Sequence, residues 1–378
     1  MKSKIWLSSP HIGEMEQYYV KESFSENWIA PVGPHIIGFE TAIDKYLKRS
    51  SFSTALVSGT AAIHLALKLL NVKAGDEVLC QSFTFVATAN PITYLGATPV
   101  FVDSEIETWN MCPNYLEEAI IDRIKLKKKP KAIIFVDLYG MPAKIDEILE
   151  IASQYNIPVI EDAAEALGSE YKNKKCGTFG DFSIFSFNGN KIITTSGGGV
   201  LVSRNKEDKE KTLFYATQAK EKALHYEHKE IGFNYRLSNV CAAIGKGQME
   251  VLSKRIARRQ LNHSFYQDLF KGSKDITVFK SEDTNFKSNY WLTCILINTQ
   301  AHFNKTEFIN YLAAHNIEAR PLWKPLHLQP VFTNNPFYGT TISSNLFNQG
   351  VCLPSGSNMS LNDRLFIAEV LVEFIKRK

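Results

Sequence analysis

Between about residues 54 and 203, short apolar runs alternate with segments whose apolar residues recur at helical spacing. Two of the runs, AIIFV at 132–136 and PVIED at 158–162, are apolar almost throughout. This composition is typical of strands that are buried on both faces. Alternating strands and helices favour βαβ units. The pattern therefore predicts an α/β fold with a mostly parallel central sheet covered by helices.

The pattern changes twice after this region. Residues 176–203 carry three β-like runs separated by glycines, with no room for helices, which predicts antiparallel or hairpin strands. The chain then becomes helical to about residue 270, and from about 275 β-like runs alternate with helices. We expect a large domain with the N-terminal segment over residues 1–250, and a small C-terminal α+β domain over 251–378.

The amino-acid composition limits the possible functions of the chain more than its possible folds. The chain of 378 residues is 44% hydrophobic and 22% charged, with a net charge of +4. So small a charge does not indicate a nucleic-acid-binding protein. No apolar stretch is long enough for a membrane helix, and the first residues lack the apolar core of a signal peptide. We expect no nucleic acid and no membrane among the partners.

The six cysteines form no CxxC pair, so neither a zinc site nor a redox motif is indicated. Several of them lie in apolar runs, where a buried free thiol is the simplest interpretation. Reduced cysteines suit a cytoplasmic protein, and we expect no bound metal.

Three strand ends offer chemistry, and the first is Ser58-Gly59-Thr60. Small residues open a helix directly after a strand, and the exposed N–H groups of a helix N-terminus attract phosphate. Gly59 would allow close approach, and Thr60 would add a hydroxyl donor. An ordinary helix N-cap is the alternative, because serine and threonine favour that position.

The second strand end is Glu161-Asp162, two carboxylates after an apolar run. A buried acid needs a partner, and a protonated ring nitrogen would supply one. An aspartate facing a pyridinium keeps that ring able to accept electrons. Here the alternative is a helix N-cap made by Asp162.

The third is Lys191, which follows an apolar run and an Asn-Gly turn. A lysine in a partly enclosed site is a good imine-forming amine. The alternative is an exposed turn lysine. Asp162 follows the Gly59 helix start by about a hundred residues, and Lys191 follows Asp162 by about thirty. This order fits one cofactor with a phosphate, a pyridine nitrogen and an aldehyde.

At these positions the sequence resembles the sugar-nucleotide aminotransferases, a DegT-like branch of the fold-type-I pyridoxal-phosphate enzymes. The resemblance covers nearly the whole chain and is carried, in family order, by SGTAAIHLAL (58–67), QSFTFVATANPITYLGATPVFVD (81–103), IEDAAEALGS (160–169), GDFSIFSFNGNKIITTSGGG (180–199), FNYRLSN (233–239), RPLWKPLH (320–327) and LPSG (353–356).

The resemblance implies roles for matching residues. Lys191 would be the Schiff-base lysine and proton shuttle, and Asp162 would pair with the pyridine nitrogen. Gly59, Thr60 and Ser186 would hold the phosphate. Three further positions complete the expected set of cofactor ligands. They are Phe85 against the ring face, Asn234 reaching the phosphate of the neighbouring subunit, and Glu165. The resemblance thus implies pyridoxal 5′-phosphate and a homodimer with shared active sites.

One position departs from the family. Three residues after the pyridine-binding aspartate the family often has glutamine or histidine, whereas this chain has Glu165. Glu165 would lie near the ring oxygen of the cofactor, protonated or turned toward the sugar. The family likewise implies a substrate pocket, formed by Asn27, Ile29, Ala30, Asn188, Arg320, Trp323, Lys324 and His327. There Arg320 and Lys324 would meet a diphosphate. Surface charge with a core tryptophan is the alternative.

The EDAAEALG and FSFNGNKIITTSGGG motifs look most like the branch that aminates a UDP-linked 4-keto-6-deoxy-N-acetylhexosamine. L-Glutamate is the expected amino donor, and UDP-4-amino-4,6-dideoxy-N-acetylglucosamine for bacterial glycan synthesis is the expected product. The alternatives are a different keto-sugar nucleotide, such as a GDP-perosamine precursor, and a non-catalytic regulator on the same fold. A sugar dehydratase usually has histidine at the lysine position, and Lys191 argues against it.

Overall fold

The computed structural model describes residues 3–48 and 52–376. Its α-helices are α1 (Glu16–Ser25), α2 (Pro34–Leu47), α3 (Gly59–Leu69), α4 (Asn90–Tyr94), α5 (Pro113–Lys125), α6 (Ile145–Gln154), α7 (Lys206–Ala216), α8 (Asn239–Leu269), α9 (Lys305–Ala314), α10 (Ile342–Gln349) and α11 (Leu361–Lys376). Its strands are β1 (Phe52–Leu56), β2 (Glu77–Gln81), β3 (Thr98–Val102), β4 (Ala132–Val136), β5 (Val159–Asp162), β6 (Glu170–Tyr171), β7 (Lys174–Lys175), β8 (Phe182–Ser186), β9 (Gly199–Ser203), β10 (Ile276–Val278), β11 (Phe286–Lys287), β12 (Thr293–Ile297), β13 (Arg320–Pro321), β14 (Phe337–Tyr338) and β15 (Gly350–Leu353).

The central sheet has eight strands in the order β1-β9-β8-β5-β4-β2-β3-β14. Every neighbouring pair is parallel except the two that involve β9, which runs antiparallel to β1 and to β8. The predicted α/β class with a mostly parallel sheet is therefore confirmed. The expected antiparallel pairing near residue 200 is confirmed as well.

Alternation along the strands explains why helices cover both faces. On β1, Leu56 belongs to an apolar cluster that includes helix α3, while its neighbour Ala55 belongs to a second cluster that includes α2. On β8, Ile184 and Phe185 divide between the same two clusters. Successive side chains of a strand point to opposite faces. These strands therefore bury apolar surface on both sides, as their sequences predict.

Two other sheets complete the structure. Strands β10, β12, β15 and β13 form a four-stranded sheet in that order, and an apolar cluster that includes Phe308 of α9 and Leu371 of α11 packs there. A three-stranded sheet has the order β11-β6-β7. Over residues 3–48 and 52–376, no helix combines the length and the apolar character needed to cross a membrane.

Several sequence-based expectations differ from the structure. The β-like run after Lys191 forms no strand, because the chain bends at residues 191–193 and again at 196–197. The segment between α7 and α8 is not helical. Helix α8 runs through residue 250, where the two domains were expected to divide, and β14 pairs with the central sheet although it lies beyond that boundary. The domain division stays a prediction.

A tight turn after β4 shows how closely two distant segments pack. Gly140 has a φ of +87°, and a Cβ there would lie 1.9 Å from the Asn289 Oδ1 atom. The Asn289 side chain donates hydrogen bonds to the backbone oxygens of Glu165 and Leu167, at 2.9 and 3.0 Å. Asn289 therefore connects three segments, and glycine is the residue that leaves room for it.

We predict that Gly140→Ala destabilises the protein more than Gly75→Ala. Gly75 has almost the same φ, +88°, but a Cβ there meets nothing within 4 Å. The left-handed backbone alone costs alanine about 1–2 kcal/mol, and overpacking against Asn289 costs about 1–3 kcal/mol more. Urea unfolding midpoints of both variants measure the difference. Equal losses would contradict the proposed clash.

Candidate active site

A cavity of about 310 Å³ lies at the carboxyl ends of the parallel strands. Val136, Asp162 and Ser186 are the last residues of β4, β5 and β8, and all three line it. Ligands of open α/β sheets bind at this edge. Nine of the site residues predicted from the sequence line this cavity, and they are Gly59, Thr60, Phe85, Asp162, Glu165, Ser186, Asn188, Lys191 and Trp323.

The Lys191 side chain points into the interior and is only 10% exposed. Its Nζ lies 3.2 Å from Glu165 Oε1 and 4.2 Å from the centre of the Trp291 ring. The Lys191 N–H bonds to the Asn188 oxygen across the Asn-Gly turn, at 3.0 Å. The turn thus directs the amine inward, and an exposed turn lysine is not what the structure shows.

Asp162 is a buried carboxylate held by two donors. Its Oδ2 accepts a hydrogen bond from Thr88 Oγ1 at 2.8 Å, and its Oδ1 accepts the Ala164 N–H at 3.2 Å. Burial raises the pKa of Asp162, whereas the Thr88 and Ala164 hydrogen bonds and the charge of Lys191 lower it. No helix begins at Asp162, so the N-cap alternative does not apply.

Glu165 lies beside them, with both oxygens engaged. Oε1 faces Lys191, and Oε2 accepts the Tyr139 N–H at 2.7 Å. Burial raises the pKa of Glu165, and the nearby Lys191 ammonium partly offsets that shift. Glu165, at which we expect a departure from the family pattern, is thus in direct contact with the lysine.

The start of helix α3 borders the same cavity. Ser58 caps the helix, because its Oγ accepts the Ala61 N–H at 3.0 Å. The N-cap interpretation of Ser58 is confirmed, and it leaves Gly59 and Thr60 in the first helical turn, where N–H groups lack intrahelical partners. A Cβ on Gly59 would lie 3.3 Å from the Ser186 Cβ. Capping and anion binding are therefore compatible here.

Aromatic side chains form one wall of the cavity. The Phe85 and Trp323 rings meet edge to face with their centres 4.8 Å apart, and Trp323 donates its backbone N–H to the Tyr139 hydroxyl at 3.0 Å. Phe85 is 54% exposed. An exposed aromatic face beside a charged cavity is suited to cover a planar ring.

Other nominated substrate residues lie outside this cavity. Arg320 borders an adjoining cavity, which shares Asn190 and Trp291 with the first, and is ion-paired with Glu318 at 2.8 Å. His327 is hydrogen-bonded through Nδ1 to Ser82 Oγ at 2.7 Å. Neither its ring nor Lys324 borders the main cavity. Their roles toward a substrate stay predictions.

The N-terminal residues and Asn234 form a separate group. The Ala30 oxygen accepts the Asn239 N–H at 2.8 Å, which places the stretch that contains Asn27 and Ile29 beside the start of α8. Asn234 is exposed, and its Oδ1 accepts a hydrogen bond from Gln218 at 3.1 Å. None of these residues borders the main cavity of the same chain.

A buried acidic cluster lies elsewhere and is structural. Asp137, Glu161 and Cys176 place potential ligand atoms within 4.8 Å of one another. The Glu161 oxygens already accept the N–H groups of 177, 179 and 180 and the hydroxyl of Ser183. Burial, and then the charge of Glu161, raises the pKa of Asp137. The Glu161 oxygens are therefore already engaged, and the raised pKa of Asp137 disfavours the charged carboxylate that a metal ion would need.

The sequence did not nominate Thr88, Tyr139 or Trp291, although they contact Asp162, Glu165 and Lys191, respectively. Thr88 lies within the 81–103 motif, so the resemblance to the family could have identified it as a site residue. Trp291 reads as part of a β-like run, and the Tyr139 contact is made by its backbone. Backbone contacts leave no trace in residue type, so Tyr139 was not accessible to sequence reasoning.

Comparison with known proteins identifies the family. The model of the DegT/DnrJ/EryC1/StrS aminotransferase family matches residues 10–371. The "Putative pyridoxal phosphate-dependent aminotransferase EpsN" of Bacillus subtilis (strain 168) is 50% identical over 98% of this chain and 96% of its own length. The chain belongs to this aminotransferase family.

Further similarities agree with that assignment. A GDP-perosamine synthase of Escherichia coli O157:H7 is 37% identical over 98% of both chains. A UDP-4-amino-4,6-dideoxy-N-acetyl-beta-L-altrosamine transaminase of Campylobacter jejuni subsp. jejuni (strain 81-176) is 33% identical over 91% of both. The crystal structure of a DegT DnrJ EryC1 StrS aminotransferase from Brucella abortus superposes with a TM-score of 0.89, at 28% identity over 96% of both chains.

The DegT/DnrJ/EryC1/StrS assignment confirms the predicted fold type, the enzyme class and the cofactor, pyridoxal phosphate. The residues present fit this group. The cavity offers a helix N-terminus for a phosphate, a buried carboxylate for a ring nitrogen and an inward amine for an aldehyde. The non-catalytic regulator is set aside by the same assignment.

We predict that Lys191→Ala abolishes covalent attachment of pyridoxal phosphate, because among residues 3–48 and 52–376 Lys191 is the lysine that borders the cavity. Lys175→Ala is the matched control, since Lys175 also makes an ion pair, with Glu170 at 2.8 Å, but lies outside the cavity. Borohydride reduction followed by mass spectrometry measures the attached cofactor. Retention of covalent cofactor by the Lys191 variant would contradict the assignment.

Proposed function

We propose that this enzyme transfers an amino group from L-glutamate to C4 of a UDP-linked 4-keto-6-deoxy-N-acetylhexosamine. The product would be UDP-4-amino-4,6-dideoxy-N-acetylglucosamine, a precursor for bacterial glycan synthesis. The observation that carries the aminotransfer chemistry is the buried Lys191 amine beside two buried carboxyl groups, in a cavity at the carboxyl edge of the sheet. A DegT-family chain with this arrangement has the groups that aminotransfer requires.

The residues of the chain divide the work. When bound, pyridoxal phosphate supplies an aldehyde that captures amino groups and a ring that accepts the electron pair of a broken C–H bond. Gly59, Thr60 and Ser186 would hold its phosphate, and Asp162 would face its ring nitrogen. Thr88 and Ala164 fix the Asp162 carboxylate, so that its charge stays aimed at one place.

Lys191 would move the proton. Its Nζ would take the proton from the donor Cα and deliver it to the neighbouring C4′ carbon, which is the task of a general base that later acts as an acid. The same residue then works in reverse when the keto-sugar replaces the 2-oxo acid. Trp291 below the amine and Phe85 across the cavity would restrict water access.

The proposed nucleotide and sugar of the substrate are supported by similarity to relatives of this chain. The Campylobacter relative acts on a UDP-linked sugar by its name, which supports the UDP proposal. The Escherichia coli relative is a GDP-perosamine synthase and is the more similar of the two, which favours a GDP-linked keto-sugar as second candidate. Arg320 and Lys324 would meet the diphosphate in either case, so the base and the sugar substituents must decide between the two.

We predict that the loaded enzyme aminates the UDP-linked 4-keto-6-deoxy-N-acetylhexosamine in the presence of L-glutamate. The GDP-linked 4-keto-6-deoxyhexose, assayed side by side, should react more slowly by at least about tenfold in kcat/KM, or about 1.4 kcal/mol. Mass spectrometry of the nucleotide sugars measures both reactions, and omission of L-glutamate is the control. Preference for the GDP sugar would replace the proposal by its second candidate.

A homodimer with shared active sites is part of the proposal. Large apolar side chains are exposed at Phe24, Ile29, Val32 and Ile37, and an exposed apolar surface of a folded enzyme commonly marks an interface. Asn234 is exposed beyond reach of its own cavity, which fits a role in a neighbouring one. Asn234 of the partner subunit would then complete the phosphate site.

Mixing two inactive variants tests the shared site. Lys191→Ala removes the amine from one chain, and Asn234→Ala removes the phosphate contact contributed to the neighbour. If the sites are shared, a mixed dimer carries both defects in one site and keeps the other intact. Refolding the two variants together at equal amounts should then restore about one quarter of wild-type activity, given a two-fold dimer. Activity no higher than that of the separate variants would contradict a shared site.

A further inference from the structure

The ion pair between Lys191 and Glu165 is buried on both sides. Nζ and Oε1 are 3.2 Å apart, and the two side chains are only 10% and 4% exposed. Burying a charge is costly unless it is paired and hydrogen-bonded. Glu165 meets that condition, because Oε2 accepts the Tyr139 N–H at 2.7 Å. The carboxylate is therefore fixed at one oxygen and faces the amine with the other.

Asp162 does not compete for this role. Its two oxygens accept hydrogen bonds from Thr88 and Ala164. Across residues 3–48 and 52–376, the ion pair of Lys191 is made with Glu165 and not with Asp162. Two carboxyl groups three positions apart thus have different partners, one neutral and one cationic.

The donor that fixes Glu165 comes from an unusual turn. Tyr139 has a φ of +55°, which is rare for a residue with a bulky side chain, and Gly140 follows at +87°. The Tyr139 ring is buried, and its hydroxyl accepts the Trp323 N–H at 3.0 Å. Strained backbone persists only where the surroundings enforce it, and it concentrates at functional sites. The surroundings of Tyr139 therefore hold its N–H toward Glu165.

We propose that Glu165 is the counter-ion that keeps Lys191 protonated and in place while the cofactor is absent. The amine then stays an ammonium in the cavity, rather than a free nucleophile open to other aldehydes. Cofactor attachment would require the proton to leave for solvent: one N–H bond breaks and the nitrogen keeps the electron pair. That pair would form the bond to the aldehyde carbon while the C=O electron pair moves to the oxygen, which then leaves as water. Glu165 is a positioning residue for this step, and loading of the enzyme becomes dependent on pH.

Other groups around the pair do not supply the same charge. Asp162 is engaged by Thr88 and Ala164, and burial raises its pKa. Tyr139 and Cys294 are a buried hydroxyl and a buried thiol whose pKa values are also raised. The Arg259 guanidinium, whose pKa burial lowers to about 9, donates to the backbone oxygen of Lys191 at 3.3 Å and is no counter-ion for an ammonium. Glu165 is thus the anion in contact with the amine.

The inference rests on the proposed function only in taking Lys191 as the reactive amine. It also gives a reason for the departure from the family pattern. A glutamine at position 165 could accept the Tyr139 N–H equally well, but it would carry no charge toward Lys191. The difference between glutamate and glutamine is therefore a difference in charge at the amine and not in the hydrogen bond behind it.

The test measures the reactivity of Lys191 in the cofactor-free protein. Reductive methylation with formaldehyde and cyanoborohydride as the hydride donor labels only the neutral amine, and mass spectrometry reports the extent at Lys191 across a pH series. Glu165→Gln should shift the labelling profile to lower pH by about one unit or more, because an opposite charge in contact favours the charged form. At neutral pH this shift appears as roughly tenfold faster labelling.

Three controls separate charge from structure. Glu170→Gln removes a carboxylate that pairs with Lys175 outside the cavity, and it should leave Lys191 labelling unchanged. Glu165→Asp keeps the charge and should stay closer to wild type than Glu165→Gln. Glu165→Ala should label fast, and added formate should slow it by filling the vacated carboxylate position, whereas formate should not slow Glu165→Gln.

An unchanged profile in Glu165→Gln would overturn the proposal, and so would a faster rate at every pH without a shift, which indicates an opened cavity. Circular dichroism confirms that each variant is folded, and if Glu165→Gln is not, the Glu165→Ala formate series decides. The labelling needs no cofactor, donor or sugar. A failed substrate screen would therefore refute the proposed substrate, and it would have no bearing on whether Glu165 is the counter-ion of Lys191.

Discussion

The placement of an ammonium group in a cavity that already contains two carboxyl groups is the constraint on which the site depends. Lys191, Asp162 and Glu165 are all largely buried, so each charge must have a partner or be neutralised. The protein solves this with backbone and hydroxyl donors for Asp162 and with a direct ion pair for Glu165. The strained turn at Tyr139 follows from the need to aim one of these donors.

The sheet was predictable because its sequence signal is local. Each buried parallel strand is an apolar run, each covering helix has its own periodicity, and β5 and β4 were recognised from five or so residues. The apolar run after Lys191 gave the same local signal and was wrongly predicted to be a strand, because Ile192 and Ile193 are apolar and buried. There the backbone bonds within the turn, with the Thr195 N–H donating to the Phe187 oxygen, and no neighbouring strand is paired. Apolar burial was read correctly, but hydrogen-bond partners cannot be read from composition.

The candidate site was predictable to the extent that chemistry lies in side-chain type. A glycine after a strand, an acid at a strand end and a lysine after a turn were each ambiguous alone, and their order along the chain combined them. Trp291 and Asn289 come from a segment about a hundred residues further on, beyond that local order. Their contribution depends on how β12 and the preceding loop pack against the 165–169 turn. Such packing belongs to the tertiary structure and cannot be predicted from local sequence.

The pair Glu161-Asp162 is a case in which the sequence leaves two possibilities open and the structure distinguishes them. Both acids end the same strand, and either could have faced the cavity. Because alternate residues point to opposite faces, only one of them can do so. Glu161 turns away and is enclosed by backbone N–H groups and Ser183, while Asp162 borders the cavity. A one-residue slip of β5 against β4 would exchange the two carboxyl groups and also carry Glu165 away from Lys191. The register that pairs Val136 with Asp162 is therefore as necessary to the chemistry as the carboxyl groups themselves.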